Sequence, residues 1–204
     1  MQRITEPDEL QIRFSRKFPS VILASSSPNR KALLEAGGTK VEVFIPEADE
    51  TKQGATPEEA VMNIASRKID AYISSPVFSK ERTAIAADTL VFINNHLLGK
   101  PENKERAREI LSELSGHEQI VISAAGLYLP GKGKVLIIDE ASVFFRSLTS
   151  DEIDAYISTG EWEGAAGGYR LQKTGYTLVD HIEGDWTTVV GLPLKRILEA
   201  SDEI

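Results

Sequence analysis

Seven side chains in this sequence of 204 residues are of types that could do phosphate chemistry together: Ser25, Ser27, Arg30, Glu50, Lys68, Asp88 and Lys100. Asp88 interrupts the apolar run from Ala84 to Ile93, where an unpaired carboxylate would cost several kcal/mol of desolvation. It therefore marks a site or a buried ion pair, and Lys100, at the end of a returning hairpin strand, is its nearest candidate partner along the chain. Lys68 falls on the stripe Val61, Ile64, Ala65, Ile69, Tyr72, seven residues after the first and four after the second. A lysine there either snorkels its ammonium to water or meets an anion. Glu50 belongs to the acidic turn Pro46-Glu47-Ala48-Asp49-Glu50-Thr51 at a strand end, a place that can hold a hard cation or remain solvated loop. Ser25, Ser27 and Arg30 lie between an apolar run and a helix start. Hydroxyls, amide N–H groups at a helix N-terminus and a guanidinium together suit a phosphate, although an ordinary capped helix after a strand would carry the same residues. Two strand-associated carboxylates that hold a divalent ion through water and phosphate oxygens, with cations around them, are the usual kit for attack on a phosphoric anhydride.

The elements that must position these groups can be read in order. Val21-Ile22-Leu23 suits a buried strand, Ser27-Pro28 is an N-cap followed by proline at the first helical position, and Gly37 or Gly38 ends that helix. Lys40 to Ile45 alternates as a strand. Thr56-Pro57-Glu58-Glu59 is a capping box that opens the helix bearing Lys68, which stops before Ser74-Ser75-Pro76. Ala84 to Ile93 is the strand bearing Asp88 and Thr89, turning through Asn94-Asn95 into His96 to Pro101. Glu102 to Ser115 is an amphipathic helix, and Gln119 to Leu129 and Lys134 to Arg146 are two long strands. Thr149-Ser150-Asp151-Glu152 opens a further helix, Gln172 is placed in a short strand, Thr177 to Ile182 forms another, and a last helix runs from Leu194 to Ala200. Met1 to Ser20 is weakly patterned and reads as an extension outside a single domain of residues 21–204.

Composition narrows the chemistry. The chain has no cysteine, which excludes disulfides, zinc-thiolate sites and a thiol nucleophile. His96, His117 and His181 lack metal-ligand spacing, and there is neither a Walker loop nor a Gly-x-Ser-x-Gly elbow. A net charge of −8 argues against nucleic-acid binding and requires any phosphate to be met by a local cluster of cations. No run of membrane-spanning length and no signal-peptide pattern occurs, so a cytoplasmic protein that does not engage a membrane is expected.

Six stretches agree in order and type with one known family: Leu23-Ala-Ser-Ser-Ser-Pro-Asn-Arg30, Ala87-Asp88-Thr89, Gly99-Lys100-Pro101, Leu114-Ser115-Gly116, Ala166-Gly-Gly-Tyr-Arg-Leu-Gln172 and Val190-Gly-Leu-Pro193. From about Val21 to Leu198 the chain resembles the Maf family of septum-formation-inhibitor-like nucleotide pyrophosphatases. The resemblance implies an elongated α/β protein similar to inosine triphosphate pyrophosphatases, with a twisted mixed sheet, flanking helices and two lobes around a central cleft, usually as a homodimer. It implies hydrolysis of a nucleoside triphosphate to monophosphate and pyrophosphate with Mg²⁺ or Mn²⁺. Carried over by position, Asp88 would activate water, Glu50 would join Asp88 in binding the metal, and Ser25, Ser27, Arg30, Lys68 and Lys100 would hold the triphosphate.

Three positions, here Asn29, Thr89 and Gln172, are where that family divides by base. Threonine and glutamine match the branch acting on dTTP and UTP, whereas Asn29 replaces a second arginine. Trp162-Glu163-Gly164-Ala165 stands where the family has Pro-x-Asp-Lys, and Arg170 and Lys173 replace glycines. Arg170 could thereby reshape the base pocket or restore the charge lost at Asn29. Two other functions remain open at this level: a nucleotide-sensing division regulator with little turnover, and a nucleotidyltransferase, which would need a glycine-rich activating loop that is not found.

Overall fold

The first element among the described residues is a helix in the stretch expected to lie outside the domain. In a computed structural model, which describes residues 8–94 and 96–203, α1 spans Glu9–Lys17. Asp8 caps it: its carboxylate accepts from the Gln11 backbone N–H at 2.9 Å, and the Gln11 side chain returns a bond to the Asp8 N–H at 3.1 Å. Phe14 and Phe18 are buried, and Gln11 Nε2 donates to the carbonyl of Leu33 at 2.8 Å. Residues 8–17 are thus a packed helix, with the buried positions Gln11, Phe14 and Phe18 recurring at helical spacing behind the Asp8 cap. Residues 1–7 of the expected extension lie outside the described residues.

β1 (Ser20–Ala24) then leads into α2 (Pro28–Ala36), with Ser27 as N-cap, proline at the first helical position and Gly37 at the C-cap. β2 (Lys40–Phe44) pairs parallel with β1, so α2 is the crossover of a βαβ unit. α3 (Pro57–Ile73) is capped by Thr56, whose hydroxyl accepts from Glu59 N–H. The return arm of the expected box reaches one residue back, with the Glu59 carboxylate accepting from Ala55 N–H at 2.8 Å. β3 (Ala84–Ile93) pairs parallel with β1, the last aligned pair being Ala24 with Ala86. β4 (His96–Leu98) folds back on β3, and Asn94 takes a left-handed φ of 47° at the turn. Asn95, the other residue of that expected turn, lies outside the described residues.

α4 (Lys104–Leu114), β5 (Glu118–Leu129), β6 (Gly133–Phe145) and α5 (Ser150–Ser158) follow as the patterns predict, and α5 carries both arms of its capping box. β7 (Val179–Glu183) starts later than Thr177, because residues Thr174–Leu178 wind into a 3₁₀ turn. A short helix, α6 (Trp186–Val190), and then α7 (Leu194–Glu203) complete the chain. The sheet order is β2-β1-β3-β5-β6-β7, with β4 on β3, so parallel and antiparallel pairs are mixed as in the α/β class expected.

The chain divides into two compact units, with β3, β5 and β6 contributing to both. The first comprises the described residues of 6–89, 122–139 and 191–204; the second comprises 90–121 and 140–190. The first unit packs Ile22, Ala24, Ile69, Tyr72, Ala84 and Ala86 between α3 and the parallel strands. Edge-to-face contacts from Tyr72 to Phe78 and from Phe78 to Tyr128, at 5.6 and 4.9 Å between centroids, extend this core. Arg13 and Lys17 of α1 pair with Asp202 of α7 in the same unit. The second unit has its own core around Ile110, Leu111, Leu114, Phe145, Trp162 and Tyr169. Among the described residues, no helix is long and apolar enough to cross a membrane.

Candidate active site

In the first unit, polar groups gather just past the carboxyl end of the β1–β3 ladder, the position where open parallel sheets present their ligand-binding loops. Ser25 follows β1 directly and is 5% exposed. Its hydroxyl accepts from Ser27 N–H at 3.2 Å, which shapes the turn into α2. The Ser27 hydroxyl in turn accepts from Arg30 N–H at 3.4 Å and caps the helix.

Arg30, one turn into α2, points back across this turn and is buried. Nε donates to the Gly191 carbonyl at 2.8 Å, Nη1 to Ser25 Oγ at 3.0 Å and to the Ala87 carbonyl at 2.8 Å, and Nη2 to Thr89 Oγ1 at 3.2 Å. Four of its five N–H groups are thus spent on protein acceptors, which leaves one on Nη2. Burial lowers its pKa, opposed by the charges of Asp88 and Glu50, and it remains a cation. The close fit depends on Gly191, whose φ of +109° suits glycine and where a Cβ would come within 3.0 Å of Thr89 Oγ1 and 3.4 Å of Arg30 Nε. Thr89 Oγ1 also shares a hydrogen bond with the buried Ser123 hydroxyl at 2.8 Å.

Asp88 is partnered from α3. Lys68 Nζ lies 2.9 Å from Asp88 Oδ1 and 3.0 Å from Glu50 Oε1, and the lysine is only 5% exposed. The snorkelling alternative for Lys68 therefore fails: its stem follows the apolar stripe inward and the ammonium ends between two carboxylates. The ion-pair partner the structure gives Asp88 is Lys68 of α3, in place of the Lys100 expected from chain order. Asp88 is itself partly open, with a side chain 16% exposed, and its Oδ2 has no hydrogen bond among the described residues. Glu50 is on an exposed loop that α3 also fixes. Arg67, next to Lys68, donates to the Asp49 and Thr51 carbonyls, each at 2.6 Å, while the Asp49 carboxylate accepts from Thr51 N–H and Oγ1, each at 2.8 Å.

Two carboxylates thus converge on one point, beside a buried guanidinium. No group of three or more His, Cys, Asp or Glu side chains is placed to hold a metal ion among the described residues. The donor set still fits a hard divalent ion of the Mg²⁺ type, which takes one or two carboxylates and completes its shell with water and substrate phosphate oxygens. The ammonium now between Glu50 and Asp88 shows that both oxygens already face a shared positive charge.

Of the residues singled out in the sequence, the first unit gathers Ser25, Ser27, Asn29, Arg30, Glu50, Lys68, Asp88 and Thr89. Lys100 and Gln172 belong to the second. Lys100 is exposed, following Gly99, whose carbonyl accepts from Gly167 N–H at 3.3 Å. Gln172 is in a turn, Leu171–Lys173, and not in a strand; Lys173 N–H closes it on the Arg170 carbonyl at 3.1 Å. Arg170 spends its guanidinium on main-chain carbonyls of the preceding loop, Nε on Glu161 at 2.9 Å and Nη2 on Glu163 at 2.6 Å. Three contributors escaped the sequence reading: Arg67, Ser123 and the Gly191 carbonyl. Ser123 left a signal as a hydroxyl inside the apolar run of β5, and Gly191 lies in the Val190 to Pro193 stretch, though nothing there shows that its carbonyl would meet Arg30.

The family model for Maf-like proteins matches residues 20–204, and the chain belongs to that family. Among curated relatives, a protein of Bacillus anthracis named dTTP/UTP pyrophosphatase is 37% identical over 179 residues, 87% of this chain and 92% of that one. Another of that name from Thermus thermophilus is 41% identical, over 88% of this chain and 91% of the relative. Among solved structures, the Staphylococcus aureus Ham1 protein aligns at a TM-score of 0.41 and 16% identity, over 63% of this chain and 72% of that one.

Proposed function

We propose that this chain hydrolyses nucleoside triphosphates to a monophosphate and pyrophosphate, with dTTP and UTP preferred. The names of relatives at 37 and 41% identity support the reaction and the pyrimidine preference. The observation that carries the chemistry is the partly open Asp88, tied through Oδ1 to a buried lysine and unengaged at Oδ2. Water attacks the α-phosphorus, its proton passes to the free Asp88 oxygen, and the α–β bridging bond breaks with its electron pair leaving on pyrophosphate. Lys68 fixes the rotamer of Asp88, so the accepting oxygen is preset rather than searched for. The remaining Nη2 proton of Arg30, with Ser25, Ser27, Lys68 and Lys100, binds triphosphate oxygens and offsets the charge gathering on the leaving group.

Glu50 and Asp88 would hold a Mg²⁺ or Mn²⁺ ion, which supplies Lewis-acid polarisation of the phosphate and charge neutralisation. Asn29, Thr89 and Gln172 would set base preference, and the active form would be a cytoplasmic homodimer; the family resemblance supports both points. The test is pyrophosphate release from a panel of triphosphates, with and without added Mg²⁺ or Mn²⁺ after chelation, alongside sedimentation for the dimer. Release from dTTP and UTP that needs the added ion is expected. Release from purine triphosphates alone would overturn the preference, and full turnover in chelator would overturn the metal assignment.

A further inference from the structure

Within the second unit, both flanks of Gln172 are fastened to a single residue. Arg170, two positions before it, donates Nε to the Glu161 carbonyl at 2.9 Å. Thr174, two positions after it, donates its N–H and its hydroxyl to Glu161 Oε2 at 2.9 and 2.7 Å. Glu161 is held in its turn by its own N–H, which donates to Thr159 Oγ1 at 3.1 Å. Arg170 is anchored twice more, through Nη2 on the Glu163 carbonyl and through its N–H on the Tyr156 hydroxyl at 2.9 Å. Burial raises the Tyr156 phenol pKa, so that hydroxyl stays neutral and serves as acceptor. Gly175 completes the closure: a Cβ there would lie 2.5 Å from the Arg170 carbonyl oxygen, so only glycine lets the strand of chain leaving the turn pass so close to the chain entering it.

At the apex of this closed turn, Gln172 Nε2 is buried and has no hydrogen-bond partner among the described residues. A buried amide donor without an acceptor costs free energy until something fills the position, and the turn around it is bonded too densely to relax. The geometry points to Glu161 and Arg170 as positioning residues for pyrimidine selection: together they clamp the turn so that Gln172 presents a preset donor to a base carbonyl. This rests on the reading that Gln172 faces the base. Thymine and uracil carry a carbonyl acceptor at C4 where cytosine carries an amino donor, so the amide in this orientation, with Nε2 unpartnered, favours the first two and leaves an unmatched pair with the third. The arginine at 170 is then a structural brace for the recognition turn.

The experiment measures kcat/KM for dTTP and dCTP in the full-length protein and in the variants Gln172→Ala, Glu161→Ala, Arg170→Gly and Glu161→Gln. A drop of roughly tenfold or more in the dTTP-to-dCTP ratio is expected for the first three, falling on KM for dTTP more than on kcat. Glu161→Gln, which keeps an acceptor for Thr174, retains most of the ratio. If Gln172→Ala collapses the ratio while Glu161→Ala and Arg170→Gly, folded by near-UV circular dichroism, leave it intact, the clamp is overturned and base reading by Gln172 stands. If Gln172→Ala itself leaves the ratio unchanged, the base reading fails and the clamp with it. Should either clamp variant not fold, Thr174→Val, which removes only the hydroxyl bond, carries the same comparison with a smaller expected drop.

Discussion

Lys68 Nζ sits 2.9 Å from Asp88 Oδ1, so the one carboxylate in the body of β3 is neutralised by the one lysine on the buried face of α3. Each makes the other tolerable, and removing one leaves a charge that its surroundings cannot solvate well. Lys68→Met should lower unfolding free energy by about 2–4 kcal/mol, read as a shift of the urea midpoint at constant m. Combining it with Asp88→Asn should cost less than the sum of the single changes. Additive costs would mean the pair is not coupled.

Arg30 joins the end of β1, the body of β3 and the turn before α7, and Gly191 is the residue that makes room for it. Gly191→Ala combines a strained left-handed backbone with a methyl pressed against Thr89 and Arg30, and should cost about 1–3 kcal/mol. Pyrophosphate release should fall with it, because the guanidinium must move. Unchanged stability and turnover in that variant would show that the glycine has no such role.

Phe14 is 1% exposed in the core of the first unit. Phe14→Ala should therefore destabilise the protein by about 3–5 kcal/mol, whereas truncating a side chain of a loose extension would cost almost nothing. Thermal unfolding of the two proteins separates these outcomes.

Asp49 shapes the loop that carries Glu50, and its pKa is lowered chiefly by the Thr51 backbone N–H, then by the Thr51 hydroxyl, with a smaller part from Arg67. A carboxylate depressed in the folded state contributes stability that is fully present above its unfolded value and lost as pH falls through the folded one. The side-chain carbon of Asp49 should titrate below 3.8 by NMR, and Thr51→Val should raise the midpoint. A midpoint at or above 3.8 would show that the Thr51 bonds do not hold Asp49 in its charged form.

Local chemistry was readable in the sequence wherever one short stretch contained both the signal and its partner. Ser27-Pro28 and Thr149 to Glu152 are caps whose donors lie three residues away, and both form. Asp88 and Lys68 were readable as anomalies, because a charge in an apolar pattern needs no structure to be conspicuous. That they answer each other is not legible there, since it depends on how α3 docks on β3, and Lys100 is nearer to Asp88 along the chain. Gln172 illustrates the opposite failure: a few residues between glycines cannot distinguish a strand from a turn that is closed by Glu161, eleven positions upstream. Arg170 reads as a spare cation in the sequence for the same reason, its carbonyl acceptors being main-chain groups that composition does not show.

The central claim is that Asp88 takes the proton from the attacking water while Lys68 holds its other oxygen. Steady-state pyrophosphate release from dTTP by the wild-type protein and by Asp88→Asn tests it most directly. The asparagine keeps the size and an acceptor for Lys68 but cannot accept the proton, so kcat should fall by roughly 10²–10⁴ with the protein still folded. Turnover within a few-fold of wild type in that variant would contradict the assignment.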